Sequence, residues 1–297
     1  MVATVEIENM VVVGTGLMGS GIVSVSIEAG IHVTLVGRSE DKCEQARSKI
    51  AQTLSRSAKR KMANDVQAQQ EYVSTALGNL ELRTDVMDAD LLNADMVVEA
   101  IVENLKVKQN FFEKIEPVVN RDCMLVTNTS SFLLSDVMAK IERRDKFAGL
   151  HFFNPVPAMK LVELVRSEET SDETFNSLYR YCQRVGKTPV KCKDAHGFIV
   201  NRLLIPYVAE GIRMAERGDA EPRDIDLAMK LGAGHPLGPF EVADYIGLDT
   251  VRSILGGWHQ SYPEDPRYMP MPSMEKLIEE GKLGRKTGQG FHTYPAK

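Results

Sequence analysis

The chain has 297 residues, 43% of them hydrophobic, which is enough length for two ordinary domains and enough apolar content for a full core. Its 36 basic and 41 acidic side chains leave a net charge of −5, which argues against nucleic acid as the main partner. No apolar run approaches the ~18 residues that span a bilayer, so no membrane insertion is expected. The four cysteines, Cys43, Cys123, Cys182 and Cys192, stand at no metal-ligand or C-x-x-C spacing; they read as reduced thiols, and no metal site is expected. The opening MVATVEIEN is acidic and lacks arginine, unlike a secretory or mitochondrial leader, and the closing TYPAK is no peroxisomal tripeptide. Trimming of a longer precursor would be compatible with these ends, so the compartment stays open.

Met10–Val13 is an apolar strand, and GTGLMGSG follows it. Gly14, Gly16 and Gly19 fit G-x-G-x-x-G. The helix they open, with Leu17 and Met18 in its first turn, runs through IVSVSIEAG and stops at Gly30. HVTLV is the next strand. This strand–turn–helix–strand context is the one in which the glycine pattern reads as dinucleotide binding. Gly14 permits the tight turn, Gly16 removes a side chain where pyrophosphate approaches, and Gly19 lets helix pack on strand. The helix N-terminus offers free N–H groups to phosphate. An acid that would hold the adenosine ribose is expected ~20 residues on. Gly37 stands there, followed by Arg38 and by Ser39, the latter a helix N-cap. Loss of the acid removes repulsion against a 2′-phosphate, and Arg38 and Ser39 are residue types that bind one. The other reading has Arg38 stacked on the adenine.

Residues 40–77 are polar, periodic and free of Pro and Gly, and predict two helices that break near Asn64-Asp65 and project as an arm. Arg56, Lys59, Arg60 and Lys61 cluster on it, either as a solvated face or as a clamp for a phosphorylated ligand. Strands follow at Met96–Glu99, at MLVT before Asn128–Ser131, and at FAGLHFF, with a helix from about Leu105 between the first two. The alternation predicts a doubly wound α/β sheet of Rossmann type. Ligands gather at the carboxyl ends of such strands, so Glu99, Glu103, Ser130 and His151 should cluster. Beyond about residue 192 helical patterns take over. GFIVNRLLIPYVAEGIRMAERG reads as one apolar helix with Pro206 inside it. The domains are therefore expected at 1–193 and 194–297, the second all-α.

HFFNPVPAMKLVELV carries the chemistry. A strand delivers His151 to its carboxyl end, Asn154-Pro155-Val156-Pro157 turns the chain, and KLVELV returns beside it, which brings Glu163 opposite His151. A carboxylate behind an imidazole fixes its tautomer and stabilises its charged form. Glu163 lies in an apolar strand, where an unpaired charge is costly. Asn201 interrupts FIV-LLI and needs a partner, whether substrate, His151 or a neighbouring loop. Ser130 either donates to a substrate oxygen or N-caps a helix starting at Phe132.

GTGLMGSGI, VVEAIVENLKVK, NTSS, HFFNPVPAMKLVELV, GFIVNRLL, MKLGAGHPLGPFEVADYIGLD and GRKTGQGF together resemble the short-chain L-3-hydroxyacyl-CoA dehydrogenases of fatty-acid β-oxidation over nearly the whole chain. The resemblance implies oxidation of an L-3-hydroxyacyl-CoA to the 3-ketone with NAD, in the mitochondrial matrix or alternatively the cytoplasm. It implies His151 as catalytic base, Glu163 as its orienting partner, and Ser130 and Asn201 as substrate contacts. It places Glu103, Lys108 and Asn154 beside the nicotinamide half of the cofactor and Thr53 and Arg60 at CoA-contacting positions. It also implies a homodimer built through the helical domain. Three residues depart from the family: Gly37 for the ribose-binding Asp, His196 for a Pro, and Gly211 for an Ala, the last a loss of ~1 kcal/mol in a helix interior. Gly37 keeps an NADP-preferring 3-ketoacyl-CoA reductase open as an alternative. A non-catalytic structural relative is the remote one.

Overall fold

Short runs of valine, leucine and methionine form the central strands, which are buried on both faces. The computed structural model describes residues 4–295. In chain order the first unit contains β1 (Asn9–Val13), α1 (Leu17–Glu28), β2 (His32–Val36), α2 (Glu40–Lys61), α3 (Val66–Gly78), β3 (Leu80–Arg83), β4 (Met96–Glu99), α4 (Leu105–Ile115), β5 (Met124–Thr127), α5 (Leu134–Val137), β6 (Phe147–Phe152), β7 (Leu161–Arg166), α6 (Asp172–Arg184) and β8 (Thr188–Lys193). The strands make one sheet in the order β3-β2-β1-β4-β5-β6-β7-β8. All neighbours are parallel except β6 and β7. Two apolar cores cover its faces, one with Ile22, Ile50 and Phe175, the other with Phe112, Ile115 and Leu134. The doubly wound expectation therefore holds. The order reverses between β1 and β4, and the crevice at that switch point is where such sheets take nucleotides.

The arm breaks where Asp65 caps α3 by accepting from the Ala68 N–H at 2.8 Å. It does not stand clear of the sheet: Ile50, Leu54 and Ala76 are core residues. Of the four expected cluster cations, Lys61 turns away to pair with Glu28 at 2.9 Å, beside the Ser57 and Tyr72 hydroxyls. Arg56, Lys59 and Arg60 stay exposed.

The second unit contains α7 (Val200–Glu216), α8 (Pro222–Gly232), α9 (Pro239–Ile246), α10 (Leu248–Ser261) and α11 (Pro272–Glu279) around a core that includes Ile205, Ile212, Phe240 and Trp258. Pro206 lies inside α7 as expected. The division falls between Phe198 and Ile199, a few residues past the expected 193–194. Asp194 belongs to the first unit because its carboxylate accepts from the Leu134 and Ser135 N–H groups at 2.7 and 3.0 Å. Phe198 belongs there because it is buried in that unit's core.

Gly211 is not the simple propensity loss expected of it. A Cβ there would sit 2.7 Å from Pro239 Cγ, so glycine is what lets α7 and α9 approach.

Candidate active site

The glycine turn after β1 is shaped by contacts. Gly14 has φ +126, and a Cβ on it would lie 2.2 Å from the Ala100 carbonyl oxygen at the end of β4. A Cβ on Gly19 would lie 1.9 Å from the Gly14 carbonyl oxygen. Gly16 differs: among the described residues, its chain neighbours aside, nothing lies within 4 Å of its missing Cβ. Its smallness serves no internal packing, which is what a pyrophosphate cradle requires. Gly16 is also the N-cap of α1 and supplies no side-chain cap. The first-turn N–H groups of Leu17, Met18 and Gly19 are therefore left to a ligand, and Leu17 itself is 69% exposed. These residues fit NAD.

The adenosine end departs from what the sequence predicts. Gly37 is buried, and a Cβ there would meet Cys43 Sγ at 2.5 Å and Thr15 Cγ2 at 2.7 Å. The position has thus not merely lost an acid; Thr15 and Cys43 occupy the space a side chain would need. Arg38 is exposed. Ser39 caps α2, its hydroxyl accepting from the Lys42 N–H at 3.4 Å.

The carboxyl ends of β4 and β5 carry a charged network. Glu99 is fully buried; its Oε1 accepts from Lys108 Nζ at 2.7 Å and from the Ile101 N–H at 2.8 Å, and its Oε2 accepts from the Thr127 hydroxyl at 2.7 Å. Lys108, 1% exposed, also reaches Glu103 Oε2 at 3.1 Å. Two carboxylates hold this ammonium, so Lys108 acts on the site by fixing Glu103. Glu103 Oε1 accepts from the Thr129 hydroxyl at 2.5 Å and from the Ser130 and Ser131 N–H groups at 3.1 and 3.2 Å. Burial opposes its charge, but Lys108, Thr129 and the Ser130 N–H together hold the carboxyl below the usual carboxylate range. Ser130 does not cap a helix. α5 starts at Leu134 under Asp194, and Ser130 Oγ lies 3.3 Å from Ser131 Oγ.

His151 lies on β6, which pairs β5 through Thr127↔Gly149, and Asn128 Oδ1 accepts from the Phe152 N–H at 3.0 Å. This joins the NTSS turn to the histidine strand. The chain then turns through Asn154, whose peptide bond to Pro155 is cis. β7 returns antiparallel with His151 directly opposite Glu163. Their side chains meet, Nδ1 to Oε2, at 2.7 Å, with residue exposures of 6% and 1%. A carboxylate can only accept, so this contact suits the tautomer with its proton on Nδ1, which leaves the Nε2 lone pair for a ligand. The imidazole has Phe153 and Phe198 beside it in tilted contacts, at ring distances of 4.5 and 5.5 Å. Phe198 has φ +48, uncommon for a bulky residue and consistent with a position held for a purpose.

The expected clustering of Glu99, Glu103 and Ser130 thus holds, with His151 on the adjoining strand. Thr53 and Arg60 share one face of α2 by their seven-residue spacing, together with Arg56. Asn201 lies in the first turn of α7 in the second unit, half-buried. Sequence reasoning missed Thr129, Asn128, Phe153 and Phe198. An Asn or Thr just past a strand signals a side chain that bonds backbone, but the two phenylalanines carry no signal apart from general apolarity.

Comparison with known proteins follows the same division. Residues 9–195 match the family model described as 3-hydroxyacyl-CoA dehydrogenase, NAD binding domain, and residues 197–294 match 3-hydroxyacyl-CoA dehydrogenase, C-terminal domain. The chain is 50% identical over 289 residues to a probable 3-hydroxyacyl-CoA dehydrogenase of Caenorhabditis elegans, covering 97% of this chain and 93% of that one. It is 48% identical over 288 residues to the mitochondrial hydroxyacyl-coenzyme A dehydrogenase of Rattus norvegicus, covering 97% and 91%. Among solved structures, (S)-3-hydroxybutyryl-CoA dehydrogenase from Ralstonia eutropha matches with a TM-score of 0.91 at 35% identity, covering 98% of this chain and 100% of that one.

Proposed function

Because the chain belongs to the 3-hydroxyacyl-CoA dehydrogenase family in both of its units, we propose that it oxidises the 3-hydroxyl of an L-3-hydroxyacyl-CoA to the 3-ketone, with His151 as base and Glu163 as its orienting partner. The observation that carries the roles is the 2.7 Å contact from Nδ1 to the buried Glu163, which leaves Nε2 as the proton acceptor. NAD, when bound, supplies the hydride acceptor. Nε2 takes the hydroxyl proton, and Glu163 stabilises the imidazolium. In the reverse direction Nε2–H protonates the ketone oxygen. The pair is buried, with Phe153 and Phe198 against the ring, and this low-dielectric setting strengthens it electrostatically. Ser130 orients the substrate oxygen, and Glu103 and Asn154 serve the nicotinamide half of the cofactor. Thr53, Arg56 and Arg60 grip CoA.

The names of the Rattus norvegicus and Homo sapiens relatives include the word mitochondrial, which supports a mitochondrial compartment; the matrix is the part of it that suits this chemistry. Leu203, Leu227 and Leu231 of the second unit are 70%, 50% and 79% exposed, and this apolar surface supports a homodimer. Sedimentation should give twice the 33.0 kDa chain mass; a monomer across micromolar concentrations removes the assembly from the account.

A second reading, preference for NADPH, rests on the exposed Arg38 beside Gly37. One experiment tests both: kcat/KM for acetoacetyl-CoA reduction with NADH and with NADPH. NADH should win. An NADPH advantage of about tenfold, or ~1.4 kcal/mol, makes Arg38 a phosphate site. No turnover with either defeats the enzymatic proposal.

A further inference from the structure

The turn that links the two strands of the dyad is anchored by a lysine that sequence reasoning passes over. Lys187, just before β8, is 7% exposed. Its Nζ donates to the carbonyl oxygens of Val156 at 2.5 Å and Met159 at 2.9 Å. Next to it, the Thr188 N–H donates to the Lys160 carbonyl at 2.7 Å. Three carbonyls of one short segment are therefore held by two consecutive residues. Among the described residues no carboxylate pairs with this ammonium. Burial first, and then the neighbouring Lys160, hold its pKa below the ordinary lysine range, with Glu28 and Cys182 opposing weakly. A buried cation without an ionic partner is costly, and a stem of the same length ending in an apolar group would avoid that cost. Among the described residues, the hydrogen bonds of this ammonium go to backbone carbonyls of this turn.

The opposite side of the turn is fixed too. Val156, 1% exposed, packs on α1 so closely that a Cβ on Gly21 would fall 2.7 Å from Val156 Cβ. The turn is thus clamped between the helix that starts at the glycine cradle and the entry to β8. It carries the exposed Asn154, and Phe153 immediately before it lies against the His151 ring at 4.5 Å.

We propose that Lys187 is a positioning residue, whose buried ammonium fixes the 154–160 turn and so sets the placement of Asn154 toward the cofactor and of Phe153 against His151. This rests on the reading that the turn borders the nicotinamide. Without the ammonium, the Val156 and Met159 carbonyls lose their donor and the turn settles elsewhere. Displacements on the order of 1 Å next to reacting atoms are enough to slow turnover.

Lys187→Met keeps the aliphatic stem and removes the donor. Two readouts are needed: NADH affinity by fluorescence titration, and the kinetic constants for acetoacetyl-CoA reduction. The expected result is a roughly tenfold weaker NADH affinity and a roughly tenfold lower kcat, with KM for acetoacetyl-CoA changed by less than about twofold. Val156→Ala loosens the same turn from its other side and should give the same split in weaker form, which keeps the test decisive if the lysine variant does not fold. Wild-type NADH affinity and kcat in a folded Lys187→Met, even with a lowered Tm, would overturn the proposal, as would Val156→Ala indistinguishable from wild type where only that variant folds. Failure of the wild type itself to turn over acetoacetyl-CoA counts against the enzymatic reading, and the NADH titration then still decides the role of Lys187.

Discussion

At the scale of single residues, two positions show how small spaces decide chemistry. Glu163 is a buried charge whose burial would be prohibitive alone; opposite it stands the one side chain that can be neutral at rest and charged when it has taken a proton. The pair is thus suited to carry charge that appears during turnover. Gly37 is the second position. Read as sequence, it is a missing acid, and restoring Asp should improve NAD affinity. The structure predicts otherwise, because Cys43 Sγ and Thr15 Cγ2 fill the site. Gly37→Asp should destabilise the protein by about 1–3 kcal/mol through overpacking. The loss should be relieved when Thr15→Gly and Cys43→Ala accompany it, as chemical denaturation of the single and triple variants will measure. A fully stable single variant would mean that this packing is soft. This contact could not be read from the sequence, since Thr15 follows β1 and Cys43 sits in α2, and only the sheet brings them together.

At the scale of elements, the strongest sequence signals belong to segments whose environment is local. The βαβ unit, the break at Asp65 and the β6–turn–β7 return are each legible from caps, glycines and periodicity. β3 and β8 are not legible. β8 reads TPVKCK, with a proline and two lysines, and is admitted as the sheet's edge strand, where a missing N–H and charged side chains are tolerated. α7 gives a case where propensity misleads. Ala in place of Gly211 would gain ~1 kcal/mol in an isolated helix. Overpacking against Pro239, 2.7 Å from the new Cβ, costs about 1–3 kcal/mol, so Gly211→Ala should be net destabilising. A rise in the denaturation midpoint would show that α7 and α9 can separate without loss.

At the scale of the whole molecule, the sheet order is what assembles the site. The reversal between β1 and β4 opens the cofactor crevice, and β5 and β6 extend the same carboxyl edge, so the glycine turn, the Glu99–Lys108–Glu103 network, the NTSS turn and His151 come from separate stretches to one rim. The residues proposed to do chemistry stand out in the sequence because they are polar types in apolar strands or at strand ends. Their supports, Lys187, Asn128, Phe153 and Phe198, were not, because a lysine, an asparagine or a phenylalanine has a commonplace role wherever tertiary contacts are unknown. The central claim is that His151, backed by Glu163, moves the proton. Its most direct test is kcat for acetoacetyl-CoA reduction by NADH in His151→Gln and Glu163→Gln, with acetoacetyl-CoA and NADH affinities measured alongside. The account predicts losses of roughly a thousandfold or more for His151→Gln and about a hundredfold for Glu163→Gln, with both affinities nearly unchanged. A His151→Gln enzyme with near-normal kcat would contradict it.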